Sequence, residues 1–123
     1  MLTGTQLTAF VASTDLARSE RFYVYVLGLS RISANPYALL LDGPGAQLRV
    51  TLVEEKAGAE YTVLGWEVAY LDATIDDLAT RDVTFLIFEG LDQDARGAWT
   101  APDGSRVAWF KDPDGNTMSL HQS

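Results

Sequence analysis

The sequence predicts an α+β fold built from two copies of a β-α-β-β-β unit, each a small mixed sheet with a helix on one face. Three observations predict it. First, Trp109-Phe110-Lys111-Asp112-Pro113-Asp114-Gly115-Asn116-Thr117-Met118-Ser119-Leu120 reads as strand, tight turn, strand. Second, Leu39-Leu40-Leu41-Asp42-Gly43-Pro44-Gly45-Ala46-Gln47-Leu48-Arg49-Val50 echoes it, and aligning Asp42 with Asp112 places Gly45 on Gly115, Leu48 on Met118 and Val50 on Leu120. Third, a strand followed by a capped helix precedes each copy.

In the first copy, Gln6 to Ala12 is apolar and partly β-branched, as a strand requires. Ser13-Thr14-Asp15 supplies N-cap oxygens, and Leu16, Ser19, Phe22, Tyr23, Val26 and Leu27 recur at helical spacing. Gly28 is a natural residue to end that helix, because it takes a left-handed conformation without a Cβ clash. Strands follow at Ser30 to Ala34, Tyr37 to Leu41 and Ala46 to Val53, the last two joined by the Asp42-Gly43-Pro44-Gly45 turn. Glu54 to Glu60 is polar and reads as the connector between copies.

The cycle then restarts. Val63 to Leu71 reads as a strand, and Asp72 or Thr74 as the cap of a helix that turns Ile75, Leu78 and Ala79 inward. Thr84 to Phe88 is expected as a strand and Glu89 to Gly97 as an acidic loop. A hairpin through Ala101-Pro102-Asp103-Gly104 and the final strand pair complete the second copy. The expected organisation is one domain, 1–123, with repeat one at about 5–54 and repeat two at about 62–122. In each unit the helix covers one face of the sheet, and two open faces placed side by side close into a cup, the kind of concavity that ligands favour.

Composition narrows the function. Apolar residues make up 47% and charged residues 21%, as in an ordinary folded domain. A net charge of −8 argues against nucleic acid as a partner and is compatible with a cationic ligand or simply with solubility. No apolar run is long enough to span a bilayer, so no membrane partner is expected. No basic region with an apolar core opens the chain, and the cytoplasm is the expected compartment. The absence of Cys excludes disulfides and thiolate chemistry.

Together with this order of elements, Ser13-Thr14-Asp15-Leu16, Phe22-Tyr23, Leu27-Gly28-Leu29 and Phe110-Lys111-Asp112-Pro113-Asp114-Gly115-Asn116 resemble the vicinal oxygen chelate superfamily, the glyoxalase, bleomycin-resistance and extradiol-dioxygenase group. The resemblance covers nearly the whole chain. It implies the paired-repeat cup and, for single-domain members, a homodimer. It also implies, for the enzymes, a divalent metal held by His, Gln or Glu from several strands. Seven residues before Asp15 stands Thr8, about six before Asp72 stands Trp66, four after Gly115 stands Ser119, and the repeat carries Ser119 onto Arg49. None of these four offers a carboxylate or imidazole. A one-residue slip would bring Glu67 to the second position but turn it to the opposite face. The expectation is therefore a member with no metal site and no cofactor.

What lines the cup is then read from strand alternation. Gln6, Thr8 and Phe10 share a face, as do Gln47, Arg49 and Thr51, Trp66, Val68 and Tyr70, and Thr117, Ser119 and His121. Thr8, Phe10, Arg49, Trp66, Tyr70, Ser119 and His121 are the candidate ligand-binding residues, suited to a planar or partly apolar small molecule. Trp66 reads either as a stacking wall or as filler of a vestigial cavity, and His121 as a general base or a loose terminal residue. Arg49 reads as an anion holder or as an ion-paired strand residue. Of Trp109 and Phe110, one must face the core and the other the cup or a partner. Asp92 and Asp94 share a face if their loop is extended, where they would meet a cation or only solvent. The expected functions are metal-independent binding of a toxic or antibiotic aromatic compound, or a glyoxalase-like lyase, isomerase or dioxygenase-related enzyme with a non-standard site.

Overall fold

The computed structural model describes residues 1–43, 45–55 and 60–123. Most of the expected connector and Pro44 of the first turn lie outside the described residues. The chain divides into two units, residues 1–57 and 58–123.

In the first unit, β1 (Thr8–Ser13) leads into α1 (Leu16–Glu20), which continues as a turn of π-helix, Arg21–Val26. Then come β2 (Ser30–Ala34), β3 (Ala38–Gly43) and β4 (Ala46–Leu52). The sheet order is β1-β4-β3-β2, with β1 parallel to β4 and the other pairs antiparallel. The Asp15 side chain accepts from the Arg18 N–H at 3.1 Å, capping α1 as its sequence predicts. Ser13 ties that cap to the strand: its hydroxyl accepts from the Asp15 N–H and, at 2.7 Å, from the buried Ser19 hydroxyl. Leu27 N–H reaches Phe22 C=O and Leu29 N–H reaches Tyr23 C=O around Gly28, whose φ of 85° only glycine adopts freely. Ser19 and Tyr23 turn from this helix into a core of Val11, Leu39, Leu41, Leu48 and Val50.

The second unit repeats the plan with β5 (Thr62–Glu67), α2 (Leu71–Ala79), β6 (Trp99–Thr100), β7 (Arg106–Lys111) and β8 (Thr117–Gln122), in the order β5-β8-β7-β6 with β5 parallel to β8. The core joins Leu71, Ile75 and Leu78 of α2 to Ala108, Phe110, Met118 and Leu120. Ala79, expected inside, is exposed, and Leu71 takes the third inward place. Leu71 belongs to the helix because Tyr70, not Asp72, is the N-cap residue, and the Tyr70 side chain makes no cap. The cap comes from β8, where Gln122 Oε1 accepts from Leu71 N–H at 2.8 Å. Replacing Gln122 by alanine leaves that donor unpaired, and thermal unfolding should report a loss of about 0.5–2 kcal/mol, the usual value of an N-cap.

Thr84 to Phe88 does not form the expected strand. It touches β7 through the Phe85–Phe110 bridge and Leu86 N–H to Trp109 C=O, while the Leu86 carbonyl and the Phe88 N–H are taken by Gln93. Gln93 Nε2 donates to the carbonyls of Leu86 and Gly97, and its Oε1 accepts from Phe88 N–H. A side chain thus replaces a strand partner.

The two units align through their registers. Val11 pairs with Val50 and Trp66 with Leu120, so Phe10 corresponds to Gly65; the irregularity between Thr62 and Leu64 then sets Thr62 opposite Thr117, as Thr8 stands opposite Gln47. Leu41 pairs with Leu48 but Phe110 with Met118. The β4/β8 part of the sequence repeat therefore holds, whereas the second turn is one residue longer and Asp42 falls on Lys111 instead of Asp112.

Candidate functional site

Each sheet has one face on its helix and one face free of it. In the first unit, Thr8, Phe10 and Ala12 lie on the helix-free face with Gln47, Arg49 and Thr51. Phe10 is 62% exposed there, directly beside Arg49.

In the second unit the helix-free face is organised in three rows across the strands. Trp99, Val107, His121 and Glu67 form one row. Trp109, Ser119 and Gly65 form the next, and Lys111, Thr117 and Thr62 the third. Ser119 and Thr117 are buried and make a floor of hydroxyls. Gly65 keeps that floor flat, since a Cβ here would lie 2.7 Å from Ser119 Oγ. Trp109 stands beside the floor at 5.4 Å from Phe88, edge to face, and 6.4 Å from Trp99. The Gln93 clasp on Phe88 N–H holds one end of this aromatic wall. Strands spaced ~4.8 Å apart put the Trp109 and Gly65 backbones about 10 Å apart, wide enough for a planar ring system laid against the indole.

Both units contribute sequence-predicted residues. Thr8, Phe10 and Arg49 lie on the helix-free face of the first sheet, Ser119 and His121 on that of the second. Trp66 does not share a face with Ser119. Paired with Leu120, it turns to the helix side and stacks on buried Phe110 at 6.3 Å and 16°. Tyr70 has left the sheet altogether and is 76% exposed at the start of α2. The count of six from Asp72 misplaced the position, because the helix begins two residues earlier; seven back from Tyr70 is Val63, and the irregularity of β5 there leaves Thr62 as the register counterpart of Thr8. Glu67 reaches the Ser119 and His121 face with no slip of register. Its carboxylate accepts from the Ser123 hydroxyl at 2.6 Å. Trp109, Trp99 and Phe88 are the functional candidates that the first list lacked; alternation marks one of Trp109 and Phe110 as outward-facing, but only the packing of Phe110 on the core decides which.

The donor set does not fit a divalent metal. By register Thr8, Arg49, Thr62 and Ser119 occupy the corresponding positions and supply three hydroxyls and a cation. Among the described residues no group of three His, Cys, Asp or Glu side chains is placed to hold a metal ion. Asp94, one of the two loop carboxylates considered for a cation, is committed elsewhere. It accepts from the N–H groups of Arg96 and Ala98 and pairs with Arg106 at 3.0 Å.

That commitment belongs to a surface network tying the 89–98 loop to α2. Arg106 also pairs with Asp72 at 2.8 Å, and Arg96 grips Asp76 at 2.8 and 3.0 Å. The Arg96 hydrogen bonds hold the Asp76 carboxyl below its usual range. For Asp94, desolvation pushes upward, but the Ala98 and Arg96 N–H groups and Arg106 outweigh it and lower its pKa. Both carboxyls have folded pKa values below their unfolded ones, so their stabilisation is present above pH about 4 and is lost as pH falls through the folded values. Arg96→Gln should make the acid-side fall in melting temperature between about pH 5 and 2 shallower than in the wild type.

Residues 6–120 match the sequence profile of the Glyoxalase/Bleomycin resistance protein/Dioxygenase superfamily. Among solved structures, a member of that superfamily from Sphaerobacter thermophilus DSM 20745 is 26% identical with a TM-score of 0.73, covering 100% of both chains. A glyoxalase/bleomycin resistance protein/dioxygenase from Alicyclobacillus acidocaldarius is 20% identical with a TM-score of 0.71, over 97% of this chain and 91% of that one. Lactoylglutathione lyase from Agrobacterium tumefaciens is 20% identical with a TM-score of 0.67, over 98% and 94%. No curated protein sequence matches the chain significantly. Among the described residues no helix is long and apolar enough to cross a membrane.

Proposed function

Because the chain belongs to the Glyoxalase/Bleomycin resistance protein/Dioxygenase superfamily, we propose that it is a metal-independent small-molecule binding protein of that group, sequestering a toxic or antibiotic aromatic compound. The observation that carries this reading is the helix-free face of the second sheet. There Trp109, braced by Phe88 and Trp99, flanks a floor of Ser119, Thr117 and Gly65. Indole rings offer a large apolar surface with a defined stacking geometry, and the Ser119 hydroxyl offers an orienting hydrogen bond. The unsuitable donor set at the metal positions supports binding without a metal.

The test is a fluorescence titration of chelator-treated protein with planar aromatic compounds, neutral and charged, repeated after addition of nickel, zinc or manganese. Saturable quenching that is the same with and without metal supports the reading. Stoichiometric metal uptake that is required for quenching overturns it.

One observation favours a second reading, a lyase, isomerase or dioxygenase-related enzyme. His121 and Glu67 are direct neighbours in one row, so an imidazole and a carboxylate stand together beside the floor. Such a pair can move a proton to or from a bound substrate. Turnover abolished by His121→Gln would favour it over simple binding.

A further inference from the structure

At the Lys111 end of the helix-free face lies a cavity of about 360 Å³, lined by Glu60, Leu86, Ile87, Phe88, Lys111 and Thr117. Three of these side chains are apolar, and Ile87 is 67% exposed, so the cavity presents apolar surface to solvent. Phe88 joins the cavity to the aromatic wall, since its other side is the edge-to-face contact with Trp109. Lys111 brings a positive charge to this apolar cleft. Among the described residues it makes no ion pair within 4 Å, although acidic side chains outnumber basic ones 17 to 9 in the chain. The nearest acidic residue in sequence, Asp112, is buried in its own turn, where it accepts from the Asp114 and Asn116 N–H groups and from the Asn116 amide.

We infer that this cavity takes an amphiphilic organic monoanion, with its ring or chain against Ile87 and Phe88 and its carboxylate or sulfonate on Lys111 Nζ. The inference rests on the proposed ligand-binding reading and names the ligand's chemical class. An ammonium paired with a carboxylate or sulfonate at the edge of an apolar surface gains from the lowered dielectric there, and the apolar body supplies the area. Glu60, on the same cavity, opposes negative charge and so restricts the anion to the Lys111 end. A cationic ligand, which the overall charge would also admit, meets Lys111 as a like charge.

Two probes of similar shape test this: 1-anilinonaphthalene-8-sulfonate, a monoanion, and N-phenyl-1-naphthylamine, its neutral counterpart without the sulfonate. Lys111→Gln should weaken the sulfonate probe by about threefold to tenfold and leave the neutral one unchanged, as expected for one partly exposed charge contact. Lys111→Arg should retain binding of the sulfonate probe, and Glu60→Gln should tighten it. Phe88→Ala should weaken both probes. An unchanged affinity of Lys111→Gln for the sulfonate probe, or equal losses for both probes, overturns the inference and leaves the broader binding reading standing. Failure of both probes to bind the wild type overturns the two together.

Discussion

Asp112→Ala is expected to lower the unfolding free energy by about 2–4 kcal/mol, the cost of leaving several buried donors without a charged acceptor. Asp112 is only 5% exposed. One carboxylate oxygen accepts from the N–H groups of Asp114 and Asn116 at 3.0 and 2.8 Å, and the other accepts from the Asn116 amide at 2.7 Å. The backbone closes the same turn through Asp112 N–H to Asn116 C=O and Gly115 N–H to Asp112 C=O, with Gly115 at a φ of 81°. The turn sets the register of β7 on β8, and with it the row that places Trp109 beside Ser119. Asp112→Asn should lose roughly half as much, because its amide oxygen still accepts while its NH2 faces another donor. Asp42, its partner in the sequence echo, is exposed, and Asp42→Ala should change stability by less than about 0.5 kcal/mol. Urea unfolding of the three variants checks the ranking.

Trp109→Ala is expected to weaken ligand binding by about 10- to 100-fold, or roughly 1.5–3 kcal/mol, through loss of the largest surface of the aromatic wall. Trp109→Phe should retain most of the affinity. The contrast is Trp66→Phe. Trp66 stacks on Phe110 on the helix side, so that change should lower the melting temperature and leave affinity within about twofold. Equal affinity losses at Trp66 and Trp109 would mean that the ligand does not sit on the helix-free face.

The sequence carried the architecture because it rests on local signals. The alternation in β4 and β8, the Asp15 cap and the Gly28 stop are each written within a few residues of where they act. The features it hid depend on distant partners. The start of α2 is fixed by Gln122, 51 residues beyond Leu71, so a nearby Asp looked like the cap. That error carried Trp66 into the candidate site and left Glu67 out. Thr84 to Phe88 has strand-like residues, but Gln93 takes the hydrogen bonds that a neighbouring strand would need. The choice between Trp109 and Phe110 is settled by packing, with Phe110 fully buried among Trp66, Phe85 and the α2 core.

The most direct test of the central claim uses the three indole N–H signals of Trp66, Trp99 and Trp109 in a two-dimensional ¹H–¹⁵N spectrum, recorded in excess chelator while a planar aromatic ligand is titrated. Metal-independent binding on the helix-free face of the second sheet predicts that the Trp99 and Trp109 signals move and saturate while Trp66 stays in place. A spectrum in which only Trp66 responds, or in which no signal moves until a divalent metal is supplied, would contradict it.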